Sequence, residues 1–359
     1  MADNHVMQAE IVIVGGGVIG ASIAYHLAAR GVRDVVVIDR ETQPGAGSTS
    51  RATGGFRAQF STEVNVRLSL LSREKLLRFK EEIGADPGFA QYGYLFVARS
   101  ESALGALRDA QTIQHACGLR DAQMISADDA RRINPAVGDD AIIGGAHCPS
   151  DGFIRAMQIL RGYIDAATRL GVRFVYGTEE RPESRVVVNA SGAWAGNLVR
   201  PLRRQVAATV PTTILPQSMP MTIWIDDGYH FRVRDDRVLL LWPDQPPHGF
   251  QTNVEDAWIG RVTAMTHERV PILRDVPIDR AACWAGLYEM TPDKHPLVGW
   301  LDERTFIAAG ASGHGVMHAP AIGEVAAQMI VGEKTTIDVR ALRPSRFDEN
   351  EPIVGSVLL

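Results

Sequence analysis

The sequence predicts an α/β fold in which a parallel, nucleotide-binding sheet is interleaved with a second, α+β unit built on a mainly antiparallel sheet. Three observations carry this expectation. A short β-branched run, Ile11–Val14, opens directly into glycines 15, 17 and 20 and a helical stretch, with a second apolar run, Val35–Ile38, behind it. From Gln205 to Trp242 the pattern turns strand-rich, and His230–Arg234 alternates. Ligand-type signals recur near residue 15, at 47–57, near 190 and near 313, and the material between them has none. That spacing implies alternating segments. Residues 1–85, 150–202 and 290–359 are expected to form the nucleotide-binding unit, and 86–149 and 203–289 the substrate-binding unit.

The opening stretch is the most specific. Gly15, Gly17 and Gly20 have G-x-G-x-x-G spacing between a strand and the helix Val18–Arg30, which Gly31 ends. One glycine makes the tight turn, one lets a diphosphate approach the backbone, and one lets helix and strand pack closely. The helix start offers N–H groups and a positive dipole end to an anion. Asp39, nineteen residues after Gly20, can accept hydrogen bonds from ribose hydroxyls and repels a 2′-phosphate. The motif by itself leaves FAD and NAD equally open.

The remaining elements follow in order. Glu41–Phe60, rich in Gly, Ser and Thr, is expected to be one long loop, and long ordered loops usually carry function. Its hydroxyls at Ser48, Thr49 and Ser50 suit close contact with a ligand, and Arg57 stands near its end. Glu63–Glu82 reads as an amphipathic helix with Val64, Leu68, Leu71 and Leu77 on one face. Tyr94–Ala98 is expected as a strand, with Ser102–Cys117 and Ala127–Ile133 as helices, the latter started by Ser126. A helix over Arg155–Leu170 precedes strands at Phe174–Tyr176 and Val186–Val188, the second opening onto the small residues Asn189–Gly192. Asp235-Asp236 turns a hairpin, Asp256–Arg269 is a helix, and Ala282–Tyr288 is a strand. Phe306–Ala309 is a buried strand leading through Gly310–Gly315 into a helix that reaches Val331, and the tail from Arg343 is expected to be extended.

Composition narrows the function. A formal net charge of −5 and the lack of a basic tract argue against nucleic acid as partner. No apolar run approaches a membrane span, and the first ten residues lack the basic-then-apolar order of a secretion signal. Cys117, Cys148 and Cys283 are too few and too scattered for a disulfide framework or a zinc site, so a reducing, cytoplasmic setting is expected and no metal. The basic residues include only four lysines, 75, 80, 294 and 334.

Five segments, in order along the chain, carry a resemblance: GGGVIGASIAYHL with Asp39, GSTSRATGGFR at 47–57, VVVNASGAWAG at 186–196, GLYEMTPDKHPLVG at 286–299 and GASGHGVMHAPAIGE at 310–324. Together the chain resembles the FAD-dependent amine and amino-acid oxidoreductases of the D-amino-acid oxidase superfamily. It is most similar to the branch of sarcosine oxidase, dimethylglycine dehydrogenase and the β-type subunits of amino-acid dehydrogenases. The resemblance implies FAD, with Gly15, Gly17, Val18, Ile19, Gly20, Asp39 and Arg40 at its ADP half. Ser48, Thr49, Arg51, Ala52 and Gly54 would approach the flavin end, Gly192 and Trp194 the adenine side, and Gly313, His314, Gly315, Val316 and Met317 the N1–C2=O edge. Helix N–H groups there stabilise charge developing on the ring. Arg57 matches the position that grips a substrate carboxylate, and Tyr288 an active-site tyrosine. Monomeric sarcosine oxidases bond FAD through a cysteine two positions before that tyrosine; Gly286 stands there, which implies non-covalent FAD.

The activity so implied is oxidation of a C–N bond of a small amino acid or N-alkyl amino acid, of sarcosine, proline or glycine type, by hydride transfer to flavin N5. The amino acid is the expected partner. No lysine replaces the one that assists reaction with oxygen in the oxidases, which leaves room for an electron-accepting partner subunit; a non-catalytic flavoprotein scaffold is the alternative from another class. His230 and Trp242, on the expected substrate sheet, are candidates to line the pocket, with packing the preferred reading for both. The connection 177–184 is shorter than the family's and is expected to weaken the adenine side.

Overall fold

In the computed structural model, residues 8–355 are described. Most of the amino-terminal stretch read above as lacking a secretion signal lies outside them, as does the end of the tail.

β1 (Gln8–Val14), α1 (Val18–Ala29) and β2 (Val35–Asp39) form the opening unit, the two strands parallel with Ile13 beside Val37. There follow α2 (Ser48–Arg51), β3 (Gly55–Phe56), α3 (Glu63–Leu77), α4 (Phe79–Glu82), β4 (Tyr94–Ala98), α5 (Glu101–Ala116), β5 (Gln123–Ser126), α6 (Ala127–Ile133), β6 (Gly144–Cys148), β7 (Gly152–Phe153), α7 (Ala156–Arg169), β8 (Arg173–Tyr176) and β9 (Glu183–Asn189). The second half runs β10 (Arg200–Ala208), β11 (Met221–Trp224), β12 (His230–Arg234), β13 (Arg237–Leu241), α8 (Asp256–Arg269), β14 (Trp284–Met290), β15 (Leu297–Trp300), β16 (Thr305–Ala309) and α9 (Gly315–Val331).

A six-stranded sheet has the order β15-β16-β9-β1-β2-β8 and is parallel except at β15. Its central strands are apolar because both faces are covered. Ile11, Ile13, Val186, Val188 and Phe306 belong to the core that α1, α3, α7 and α9 close. The register sets Val14 beside Asn189, so β1, β9 and β16 end at one edge, each opening into a glycine-containing turn. Ligands bind at this carboxyl edge of parallel sheets. The eight-stranded sheet, β14-β10-β13-β12-β11-β4-β6-β5, is antiparallel except where β11 runs parallel to β4. Trp224, Phe231, Leu240 and Trp258 form the core on one of its sides.

Several expectations need correction. Glu41–Phe60 is not a bare loop: it contains α2, and β3 pairs with β7. Leu77 does not share the buried face of α3 but is 61% exposed. At about 100° per residue it lies roughly 220° round from Val64, and Leu76 is buried in its stead. The tail is not simply extended, since Pro344–Arg346 makes a 3₁₀ turn. There Arg346, fully buried, forms a two-pronged pair with Asp293 (Nε–Oδ2 2.8 Å, Nη2–Oδ1 2.9 Å). β5, β6 and β15 were not foreseen. They are short and hold glycine or polar residues, so only pairing with their neighbours makes them strands.

Candidate active site

One cavity of about 1230 Å³ runs from the glycine turn after β1 to the inner face of the antiparallel sheet. Every residue proposed above for ligand contact borders it except Gly20 and Ser50, whose hydroxyl instead turns back to the Gly47 carbonyl at 3.5 Å. Gly20 lies beneath, where a Cβ would stand 1.9 Å from the Gly15 carbonyl oxygen, so it serves close helix–strand packing. Gly15 makes the turn: its φ is +109°, and a Cβ would stand 2.3 Å from the oxygen of Ala190.

The nucleotide end is held by backbone. Asp39 accepts hydrogen bonds from the Gly16 N–H (2.7 Å) and the Glu41 N–H (2.9 Å), which fixes the carboxylate at the cavity wall with lone pairs to spare. α1 starts at Gly17 with no side-chain cap, and Thr49 Oγ1 takes the Val18 N–H at 3.2 Å. The short 177–184 connection does not open this end. Gly177 N–H donates to Glu41 (2.8 Å), Thr178 N–H to Asp39 (3.1 Å), and Thr178, Glu179 and Arg181 themselves form cavity wall. On the rim the Arg40 guanidinium stacks 3.8 Å from the Trp194 ring centroid, and Trp194 stacks on Phe250 with ring centroids 5.3 Å apart.

The middle of the cavity is clamped between the 48–54 segment and the antiparallel sheet. Ser48 Oγ donates to the Leu287 carbonyl (2.9 Å), Arg51 Nη1 to Ala285 (2.9 Å), and Trp284 Nε1 to Arg51 (2.9 Å), tying α2 to β14. Arg232 and Arg234 of β12 donate to the carbonyls of Thr53 (2.7 Å) and Ala52 (3.3 Å). Gly286 has to be small, since its missing side chain leaves room for Arg51, whose Cβ would lie 3.0 Å away. At the start of α9, Gly313 has φ +95° and a Cβ there would press on the Tyr288 ring at 2.3 Å. Beside it lies Glu289, which the sequence reading passed over. Its Oε1 accepts the Ala311 N–H at 3.2 Å, Oε2 is buried with no partner among the described residues, and burial pushes its pKa up to about 7.

At the far end Arg57 is buried. Its Nη1 donates to the Gln59 carbonyl (2.8 Å), its Nη2 lies 3.3 Å from His314 Nε2, and its guanidinium stacks 4.1 Å from the Phe60 centroid. A guanidinium only donates, so His314 accepts at Nε2 and carries its proton on Nδ1. Behind Arg57 the buried Asp151 accepts from Ala58 N–H (2.7 Å) and Gln59 Nε2 (3.2 Å), and burial raises its pKa to about 7. Burial also raises the Tyr288 phenol and lowers His230 to about 4, so both are neutral at pH 7. His230 and Trp242, read as packing residues, in fact border the cavity, together with Tyr94, Met221, Ile223 and Arg204. Alternation along β12 could have flagged His230; nothing short of strand register could have flagged Arg204.

Helix start, the Asp39 carboxylate and glycine turn fit a dinucleotide, and the second helix start fits a ring that gains negative charge. Fold and cavity together define a dinucleotide-dependent oxidoreductase. The family model for DAO, FAD dependent oxidoreductase, matches residues 10–329, and the chain belongs to that family. Among known proteins it is 28% identical to glycine oxidase of Geobacillus kaustophilus, over 92% of this chain and 95% of that one. It is 27% identical to mitochondrial dimethylglycine dehydrogenase of Rattus norvegicus over 95% of this chain, which spans only 45% of that longer protein. The crystal structure of L-proline dehydrogenase from P. horikoshii superimposes with a TM-score of 0.89 at 28% identity, covering 96% of this chain and 99% of that one.

Proposed function

We propose that this FAD-dependent enzyme oxidises the C–N bond of a small amino acid or N-alkyl amino acid to an imine. The observation that carries the reading is a buried guanidinium, Arg57, bordering the same cavity as the glycine turn after β1. Bound FAD supplies the hydride acceptor. Arg57 holds the carboxylate through charge-assisted hydrogen bonds, and His314, hydrogen-bonded to it, keeps the fork oriented. Tyr94, Tyr288 and His230, all neutral, wall the reacting carbon from bulk water and leave the amine free to bind uncharged. Hydride loss leaves an iminium carbon; it sheds its N–H proton, and water then splits the imine into carbonyl compound and amine. Relatives named as glycine oxidase, dimethylglycine dehydrogenase and L-proline dehydrogenase support this substrate class.

The same reading makes FAD non-covalent. No cysteine borders the cavity, and Cys283 turns its thiol to the Asp279 carbonyl at 3.3 Å. The segment division given at the outset, with 86–149 and 203–289 over the reacting end, is the organisation this chemistry uses. Of the four lysines only Lys294 borders the cavity, and it is exposed. That favours an electron acceptor other than oxygen, a partner chain among them, and a cytoplasmic setting is consistent with three free thiols. Among the described residues no helix is long and apolar enough to cross a membrane. The test is turnover of the purified holoenzyme with oxygen against an artificial acceptor. The proposal expects carbonyl product from amino acids with the artificial acceptor and little peroxide; rapid peroxide formation contradicts the acceptor assignment, and no carbonyl product contradicts the reaction.

A further inference from the structure

The antiparallel sheet brings a second guanidinium to the reacting end. In the β10–β14 register Arg204 lies opposite Gly286 and Leu202 opposite Tyr288, so Arg204 shares a sheet face with Tyr288. Its guanidinium carbon is 5.6 Å from the Tyr288 ring centroid. Its neighbour Arg203 points the other way and is paired with a carboxylate, with Glu255 at 2.7 Å and Asn253 at 3.2 Å. Arg204 has no such partner: among the described residues its one hydrogen bond runs from Nη1 to the Asp244 carbonyl at 2.7 Å, and no carboxylate pairs with it. Arg204 borders the same cavity as Arg57.

Resting on the amino-acid reading above, we propose that the substrate carries two carboxylates, one held by Arg57 and the second by Arg204. Electrostatics agree with this geometry. Both guanidiniums act on the same two neutral groups, His230 and Tyr288. Burial lowers the pKa of each arginine below its usual value. The carboxyls nearest them, Asp151 behind Arg57 and Asp244 behind Arg204, are themselves pushed toward the neutral form by burial. A monocarboxylic amino acid held by Arg57 would leave the Arg204 guanidinium without an anion, whereas a dicarboxylic one, such as an N-carboxymethyl amino acid or an acidic amino acid, engages both arginines.

Diglycolate and methoxyacetate test this directly. They are ethers of nearly the same shape, have no C–N bond, and differ by one carboxylate. Binding to the holoenzyme is read from the perturbed flavin absorbance and to the apoprotein by calorimetry. The proposal expects diglycolate to bind at least about tenfold tighter than methoxyacetate. Arg204→Gln should bring the ratio of the two constants to within about threefold of unity, and Arg204→Lys should keep part of the preference. Equal binding by the wild-type protein overturns the proposal whatever the variants do, as does a ratio that survives Arg204→Gln. If both ethers bind equally through Arg57, only the dicarboxylate inference falls; if neither binds, the amino-acid reading falls with it.

Discussion

The two ends of the cavity are built in different ways. The nucleotide end is made of contiguous sequence: strand, glycine turn, helix start and Asp39 lie within residues 11–39, and the backbone does most of the holding. The other end is assembled from residues of three strands, among them Arg204 of β10, His230 of β12 and Tyr288 of β14, with the loop residue Arg57. The difference teaches that a site made of helix termini can be read from spacing, while a site made of strand faces depends on register. Arg203 and Arg204 are chemically identical neighbours, yet one is tied to Glu255 and the other faces the cavity.

Breaking the nucleotide end should have the largest effect. Gly20→Val places atoms into the Gly15 carbonyl, where even a Cβ would stand 1.9 Å away. The expected cost is at least about 3 kcal/mol, with loss of bound flavin read from the ratio of flavin to protein absorbance. A yellow, stable variant would show that the turn is not clamped as described.

At the reacting end, Arg57→Ala should raise KM for carboxylated substrates on the order of 10- to 100-fold while amines without a carboxylate change little. An equal change for both would remove Arg57 as the anchor.

Glu289 lies between the two ends and offers a pH test. Its pKa is raised on folding from 4.5 to about 7, so the folded protein holds a proton that the unfolded chain releases. Stability carried by this proton is complete below about pH 4.5 and is lost as pH rises through about 7. Glu289→Gln mimics the protonated form, so its melting temperature should gain on the wild type between pH 5 and 7.5, with a ceiling on the order of 3 kcal/mol. A constant difference across that range would mean Glu289 is ionised in the fold. The smallest effect is expected on the rim: Trp194→Ala removes the surface stack with Arg40 and should weaken FAD binding by roughly two- to fivefold, measured by flavin fluorescence titration.

The sequence disclosed the parallel sheet, the hairpin of β12 and β13, and a run of residues that line the glycine-turn end of the cavity, because those signals are local. It missed Glu289, whose neighbours at Gly192 and Gly315 come from distant turns. It also misjudged His230, on β12, and Trp242, just beyond the end of β13, since a half-buried ring looks the same whether it faces a core or a cavity. The short 177–184 connection looked like a weakness only because its hydrogen bonds to Glu41 and Asp39 are long-range.

The most direct test of the account is anaerobic mixing of the holoenzyme with N-methylglycine, proline and iminodiacetate, each beside the same amine lacking its carboxylates. The account predicts that the flavin band near about 450 nm bleaches with at least one of the amino acids and, at equal concentration, on the order of a hundredfold more slowly with its decarboxylated counterpart. A flavin band that no amino acid bleaches, or that both members of every pair bleach alike, would contradict it.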